Sequence, residues 1–170
     1  MKQGAIRILG IDTSLRSTGV GIVEFSGNAM RAVAYGRVRN KSSLSHSRCL
    51  EAIYDTLAEL IETHRPDCAA IEGAFFAKNA RTAMILGQAR GAAMTACAKK
   101  KIPLFEHSPR RVKQAIVGTG TARKDQVAKM VMHLLALDEQ PQEDAADALA
   151  LAICHHRQHA LPETLRVDSI

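Results

Sequence analysis

Two short apolar runs that each end in an acid limit the fold more than any other feature of this chain. Residues 5–12 (AIRILGID) are nearly continuous in apolar character and close on Asp12; residues 68–72 (CAAIE) do the same and close on Glu72. Continuous rather than alternating hydrophobicity marks a strand covered on both faces, so the sheet it belongs to lies between layers of helices. If the two strands run side by side and parallel, both carboxylates emerge at one carboxyl edge, where open α/β sheets build their sites. A charged group ending a buried strand is costly unless it meets water, a partner or a metal ion. These two runs alone leave open both solvated strand ends and a shared site.

The remaining pattern supplies the layers. Thr18 to Phe25 reads as a second strand, Ser26-Gly27-Asn28 as a turn and Met30 to Val38 as a third strand, which makes an antiparallel meander. Leu50, Ile53, Tyr54, Leu57, Leu60 and Ile61 form one helical stripe, ended by Pro66. Lys78 to Lys101 is an Ala-rich helical stretch, and Pro103 to Glu106 a brief fifth strand. Ser108-Pro109 reads as a cap and first residue of a short basic helix through Val117. After the loop 118–121, Thr121 is expected to cap a helix carrying Val127, Met130, Val131, Leu134 and Leu135; Pro141 opens a last Ala-rich helix to about Arg157. This order predicts an α/β fold with a five-stranded mixed sheet, three antiparallel strands and then parallel ones, flanked by helices. That is the ribonuclease-H-like arrangement, and a fold alone does not give a function. Residues 1–160 read as a single domain and 161–170 as a flexible tail.

Composition narrows the class. With 170 residues, 46% of them hydrophobic, the chain can bury a core without disulfides, and no apolar run is long enough to span a bilayer. Met1 to Ala5 lacks the form of a secretory signal, and Cys49, Cys68, Cys97 and Cys154 form no CxxC pair. Reduced thiols in a cytoplasmic protein, with no membrane partner, are the expectation. Net charge is +6, unevenly spread. Residues 73–131 hold twelve Lys or Arg against two acids, whereas residues 132–170 hold two against seven. A basic central segment between acid-bearing flanks suits a polyanion such as nucleic acid, or is simply a solvated basic face.

Asp144 and Asp147 stand three apart on the last predicted helix and so share a face. Acids at a helix start suit its dipole, which accounts for Glu143 and Asp144; Asp147, one turn on among Ala145, Ala146, Ala148 and Leu149, calls for a partner. Four carboxylates from two strand ends and one helix face suit Mg²⁺, which takes oxygen ligands and keeps several waters. Paired carboxylates also serve glycoside hydrolysis, but the basic segment and the lack of Trp argue against a sugar substrate. His155, His156 and His159 resemble a metal cluster, yet imidazoles at a helix C-terminus are better read as favourable to its dipole.

Four ordered segments, residues 8–24, 70–91, 112–127 and 143–153, resemble the crossover-junction endodeoxyribonuclease family RuvC over roughly residues 6–156. The resemblance implies a Holliday junction resolvase of DNA recombination and repair. It would be a homodimer making two symmetric nicks that leave 5′-phosphate and 3′-hydroxyl ends. Asp12, Glu72, Asp144 and Asp147 would be the catalytic and metal-binding tetrad, holding two Mg²⁺ per subunit with Mn²⁺ as a substitute. Asp12 would serve both ions, Glu72 one of them, and Asp144 and Asp147 the other. Phe75 would stack on junction bases, a use its ring permits; Phe76 suits packing equally. Lys113 and Lys124 would contact phosphates, with Lys78, Arg81, Arg90 and Arg111 of the basic segment as further DNA contacts. Gly87, Ala89, Gly91 and Ala92 would line a dimer interface or pack on the sheet. The RuvA–RuvB branch-migration complex would be a partner. Thr13-Ser14 departs from the family's Pro-Gly after the first strand, and side-chain hydrogen bonds can close that turn instead. An ATPase of the actin and Hsp70 type shares the Asp12 and Ser17-Thr18-Gly19 pattern but needs a second lobe. Two further readings compete with a resolvase: a catalytically silent junction-binding protein, and a different ribonuclease-H-like nuclease.

Overall fold

The computed structural model describes residues 4–73, 79–159 and 167–170. Ten elements follow in order: β1 (Ile6–Asp12), β2 (Ser17–Ser26), β3 (Ala29–Arg39), α1 (His46–His64), β4 (Cys68–Glu72), α2 (Ala80–Lys99), β5 (Leu104–His107), α3 (Pro109–Val117), α4 (Lys124–Leu134) and α5 (Glu143–His159). The strands form one sheet in the order β3-β2-β1-β4-β5. β1, β2 and β3 pair antiparallel; β1 with β4 and β4 with β5 pair parallel. This is the expected mixed sheet, with β1 at its centre and β4 beside it.

A core lies on each face. Leu9, Ile11, Ala69 and Ile71 pack against Ile53, Leu57 and Ile61 of α1 and Ala89, Ala93 and Ala96 of α2. Ile8, Val23 and Ala70 face α3, α4 and α5 through Val112, Val127, Val131 and Leu149. Alternate residues of β1 and β4 serve opposite cores, which is why both strands read as unbroken apolar runs.

Helix α5 lies directly on the sheet because glycines leave it room. A Cβ on Gly10 would fall 1.7 Å from the Ala148 carbonyl oxygen, one on Gly19 1.9 Å from the Asp144 carbonyl oxygen, and one on Gly21 2.8 Å from the Leu149 side chain. These three positions on β1 and β2 form a lane for the helix backbone.

Several local details differ from the sequence reading. α1 ends at His64 because Arg65 turns left-handed (φ 47°) just before Pro66. Ser108 caps α3 as expected, its hydroxyl accepting from the Arg111 N–H. Thr121 does not cap α4. That helix begins at Lys124, with the Gln126 side chain accepting from the Arg123 N–H at 2.9 Å, while the Thr119 and Thr121 hydroxyls bond each other. The final helix starts at Glu143, two residues after Pro141. The end of the segment read as a flexible tail is tied down: Ser169 bridges to Phe105, and the Ile170 N–H donates to the Leu104 carbonyl. These bonds use the open edge of β5, whose backbone groups would otherwise be unpaired. All four cysteines are free and buried, and burial pushes the thiols of Cys68, Cys97 and Cys154 up to about 12. No helix among the described residues is long and apolar enough to cross a membrane.

Candidate active site

The sheet register gathers the site. Asp12 on β1 pairs with Gly19 on β2, which pairs with Arg37 on β3. On the other side Ile11 pairs with Ile71, so Asp12 and Glu72 leave adjacent parallel strands at the same edge. Above them, the glycine lane brings the first turns of α5 onto the sheet, which carries Asp147 over Asp12 and Asp144 over Gly19.

Asp12, Glu72 and Asp147 line one cavity of about 310 Å³ together with Lys113 of α3 and Lys124 of α4. Its apolar wall is Val112, Val127 and Leu151. Burial, and then the charges of Asp147 and Asp144, push the Asp12 carboxyl up to about 7. Burial and the Asp12 and Asp147 charges do the same to Glu72, also to about 7, against the opposing pull of Lys124 and Lys113. Asp147 is raised as well, chiefly by burial. The Lys124 ammonium lies 2.8 Å from Glu143 and 3.3 Å from Asp147, and these acids hold it well above its ordinary value. Carboxylates buried this far, with one another's charges close by, call for cations.

Asp144 stands slightly apart. It does not line the cavity; its carboxylate accepts a hydrogen bond from the Ser17 hydroxyl, and Arg37 lies 4.0 Å away. Its charge still reaches Asp12. Thus three of the four expected acids share one cavity, and the fourth flanks it. Among the described residues no three His, Cys, Asp or Glu side chains stand close enough together to hold a metal ion as they are placed.

The expected DNA contacts divide. Lys113 and Lys124 sit in the cavity wall. Arg81 is exposed at the start of α2, and Arg111 is exposed on α3. Arg90 does not face outward: its side chain is 14% exposed, and its guanidinium donates to the Glu72 carbonyl and the Glu106 carboxylate. In this arrangement it fastens α2 to the end of β4. Phe75, Phe76 and Lys78 lie outside the described residues. The small residues of α2 split between two faces, with Ala89 fully buried and Gly87 and Gly91 opening onto free space.

The turn after β1 is held in a way the sequence reading did not foresee. The buried Thr18 hydroxyl donates to the Ser14 carbonyl at 2.6 Å and accepts from the Ser14 N–H at 3.3 Å, so neither the Thr13 nor the Ser14 side chain closes the loop. The dipole reading of the C-terminal histidines fails for His155. Its Nδ1 meets His107 Nε2 at 3.1 Å in the core, and burial pushes the two imidazoles down to about 3 and 4, so both are neutral at pH 7. His156 instead stacks on Phe25, with ring centroids 3.8 Å apart. Arg37 and His107 were not singled out from the sequence, and Ser17 was noted only in the Ser17-Thr18-Gly19 pattern, not as a partner of Asp144. A polar residue in the register row of Asp12 was the available signal for Arg37, and it required the strand pairing.

Residues 8–155 match the family profile described as crossover junction endodeoxyribonuclease RuvC. The chain is 49% identical over 160 residues to the crossover junction endodeoxyribonuclease RuvC of Alkalilimnicola ehrlichii, covering 94% of this chain and 96% of that one. It is 47% identical over 150 residues to that of Cupriavidus metallidurans, covering 88% and 83%. Among solved structures it is similar to Thermus thermophilus RuvC in complex with a Holliday junction substrate, with a TM-score of 0.89, 28% identity, and coverage of 97% of this chain and 99% of that one. The yeast mitochondrial Holliday junction resolvase Ydc2 shares the fold at 12% identity, with a TM-score of 0.61, covering 88% and 78%.

Proposed function

The chain belongs to the RuvC family of crossover junction endodeoxyribonucleases, and on that premise we propose that its row of carboxylates hydrolyses phosphodiester bonds of four-way (Holliday) DNA junctions in recombination and repair. The observation that carries the reading is the cavity in which Asp12, Glu72 and Asp147 meet beneath Lys113 and Lys124. Asp12, Glu72 and Asp147 would hold Mg²⁺, two ions per subunit with Mn²⁺ as a substitute, and Asp144 would join them from its place beside Ser17. When bound, such ions activate an attacking water and stabilise the departing oxygen of a phosphodiester. The protein's own share is positional. The parallel strand ends and the glycine lane fix the carboxylates, and Lys113 and Lys124 offer charge to the phosphates beside the cut. Val112, Val127 and Leu151 form an apolar wall, and a less polar surround strengthens the charge interactions beside it.

A homodimer would pair two such sites on a substrate of matching two-fold symmetry, and two nicks would leave 5′-phosphate and 3′-hydroxyl ends. The outer face of α2 supports it: Met84 is 66% exposed, and Gly87 and Gly91 permit close approach of a second helix. The RuvA–RuvB complex as partner and a cytoplasmic location follow from the family reading.

One experiment tests the core of this. With Mg²⁺ present, a synthetic four-way junction is expected to be nicked at paired positions while matched duplex and an RNA–DNA hybrid stay intact. Asp147→Asn should keep junction binding and lose cleavage by more than about 100-fold. Equal cleavage of all three substrates would make the protein a less selective nuclease; binding without any nick would make it a silent junction binder.

A further inference from the structure

We propose that Arg37 is a second anchor for the DNA backbone, gripping a phosphate on the side of the acid row opposite Lys113; the inference rests on the nuclease reading above. Many arginines of the fold are engaged by protein partners. Arg7 and Arg31 hold Glu24, Arg16 donates to the Lys41 and Leu44 carbonyls, Arg90 to Glu72 and Glu106, Arg123 to Asp125, and Arg157 to the Ala115 carbonyl. For the Arg37 guanidinium no hydrogen bond is found among the described residues. Its nearest acid, Asp144, is 4.0 Å away and already takes the Ser17 hydroxyl. That separation is an ion pair too long for a hydrogen bond, so among the described residues the five N–H donors have no acceptor and can serve a planar anion.

Its place in the sheet points those donors at the substrate path. Arg37 lies near the end of β3, which runs parallel to β1, and shares the row of Asp12 through Gly19. At the middle position Gly19 makes room for Asp144 of α5, which lies directly over it, so the Asp144 carboxylate stands between Asp12 and Arg37. Two strand spacings separate them, roughly 10 Å, a distance that about three nucleotides cover at about 3.4 Å of rise each. Lys113 acts on Glu72 and Arg37 on Asp144, so the two cations flank the carboxylates at opposite ends. A polyanionic strand crossing a row of acids is repelled there, and it needs a cation on both sides to stay seated. β3 is the edge of the sheet, so no further strand shields this side, and Arg39, exposed two residues on, extends the positive rim. Arg suits the role through its bidentate fork on phosphate.

The test compares two single-charge losses on one strand: Arg37→Ala beside the site, and Arg31→Ala, whose guanidinium is held by Glu24. Junction affinity of the intact protein is measured by titration at several salt concentrations, with cleavage at saturating enzyme measured alongside. Arg37→Ala is expected to weaken binding roughly 3–10-fold and to lower the slope of log affinity against log salt by about one. Arg31→Ala should change neither. Arg37→Lys should restore the slope and only part of the affinity. An unchanged slope for Arg37→Ala, with or without a slower cut, overturns the phosphate contact. If the unaltered protein neither binds nor cuts the junction, the nuclease reading itself has failed, a result distinct from any behaviour of the variants.

Discussion

At the scale of single residues, the carboxylates work against the fold that holds them. Asp12 and Glu72 keep protons up to about pH 7 in the folded chain, whereas in an unfolded chain they release them near their ordinary values around 4. Between those values the folded state binds more protons, so these groups cost stability as pH rises from about 4 to 7. In a chelator-treated sample, Asp12→Asn is therefore expected to be more stable than the unaltered chain at pH 8, by up to about 4 kcal/mol. At pH 4 the two should match. Urea unfolding at both pH values checks this, and an equal gap at each would mean that charge is not the cause. The buried His107–His155 pair has the opposite sign: its imidazoles are pushed down, so its contribution is present above about 6.5 and lost on acidification towards 4. Asp12, Glu72 and Asp147 were legible because an acid breaking an apolar pattern is a visible anomaly. Arg90, Ser17 and His107 were not, because their roles depend on partners 18, 127 and 48 residues away.

At the scale of elements, the site depends on how closely α5 approaches the sheet. Gly10→Ala would drive a methyl group into the Ala148 carbonyl, which neither backbone can yield to without moving the helix. We expect a loss of more than about 3 kcal/mol, against a small effect for Gly36→Ala, where nothing lies within 4 Å of the added carbon. Denaturant midpoints for the two variants decide it; similar values would mean that the lane does not govern packing. Strands β1 to β4 and helix α1 were readable from hydrophobic spacing, and α3 from Ser108-Pro109. The lane was not, since glycines in a strand read as permissive backbone until the helix above them is placed. The start of α4 was misread because Thr121 looks like a cap, whereas the chain caps with Gln126 reaching back to Arg123.

At the scale of the whole molecule, two faces matter: the acid row between its cations, and the outer side of α2. If α2 joins two copies, Met84→Glu combined with Gly87→Glu should leave the fold intact, since both positions face outward, and convert dimers to monomers. Sedimentation with a circular dichroism control checks this; a persistent dimer would place the contact elsewhere. The charge map was readable in outline, as a basic middle followed by an acidic C-terminal segment, but not the pinning of Ser169 and Ile170 to β5. Finally, α5 packs over every strand of the sheet yet follows them all in the sequence. A nascent chain that has emerged from the ribosome only as far as residue 142 displays Asp12 and Glu72 but lacks Asp144, Asp147 and the cover for one face of its sheet. If Asp144 and Asp147 belong to the catalytic set, an interrupted translation product cannot cut, and the activity arrives only with that helix.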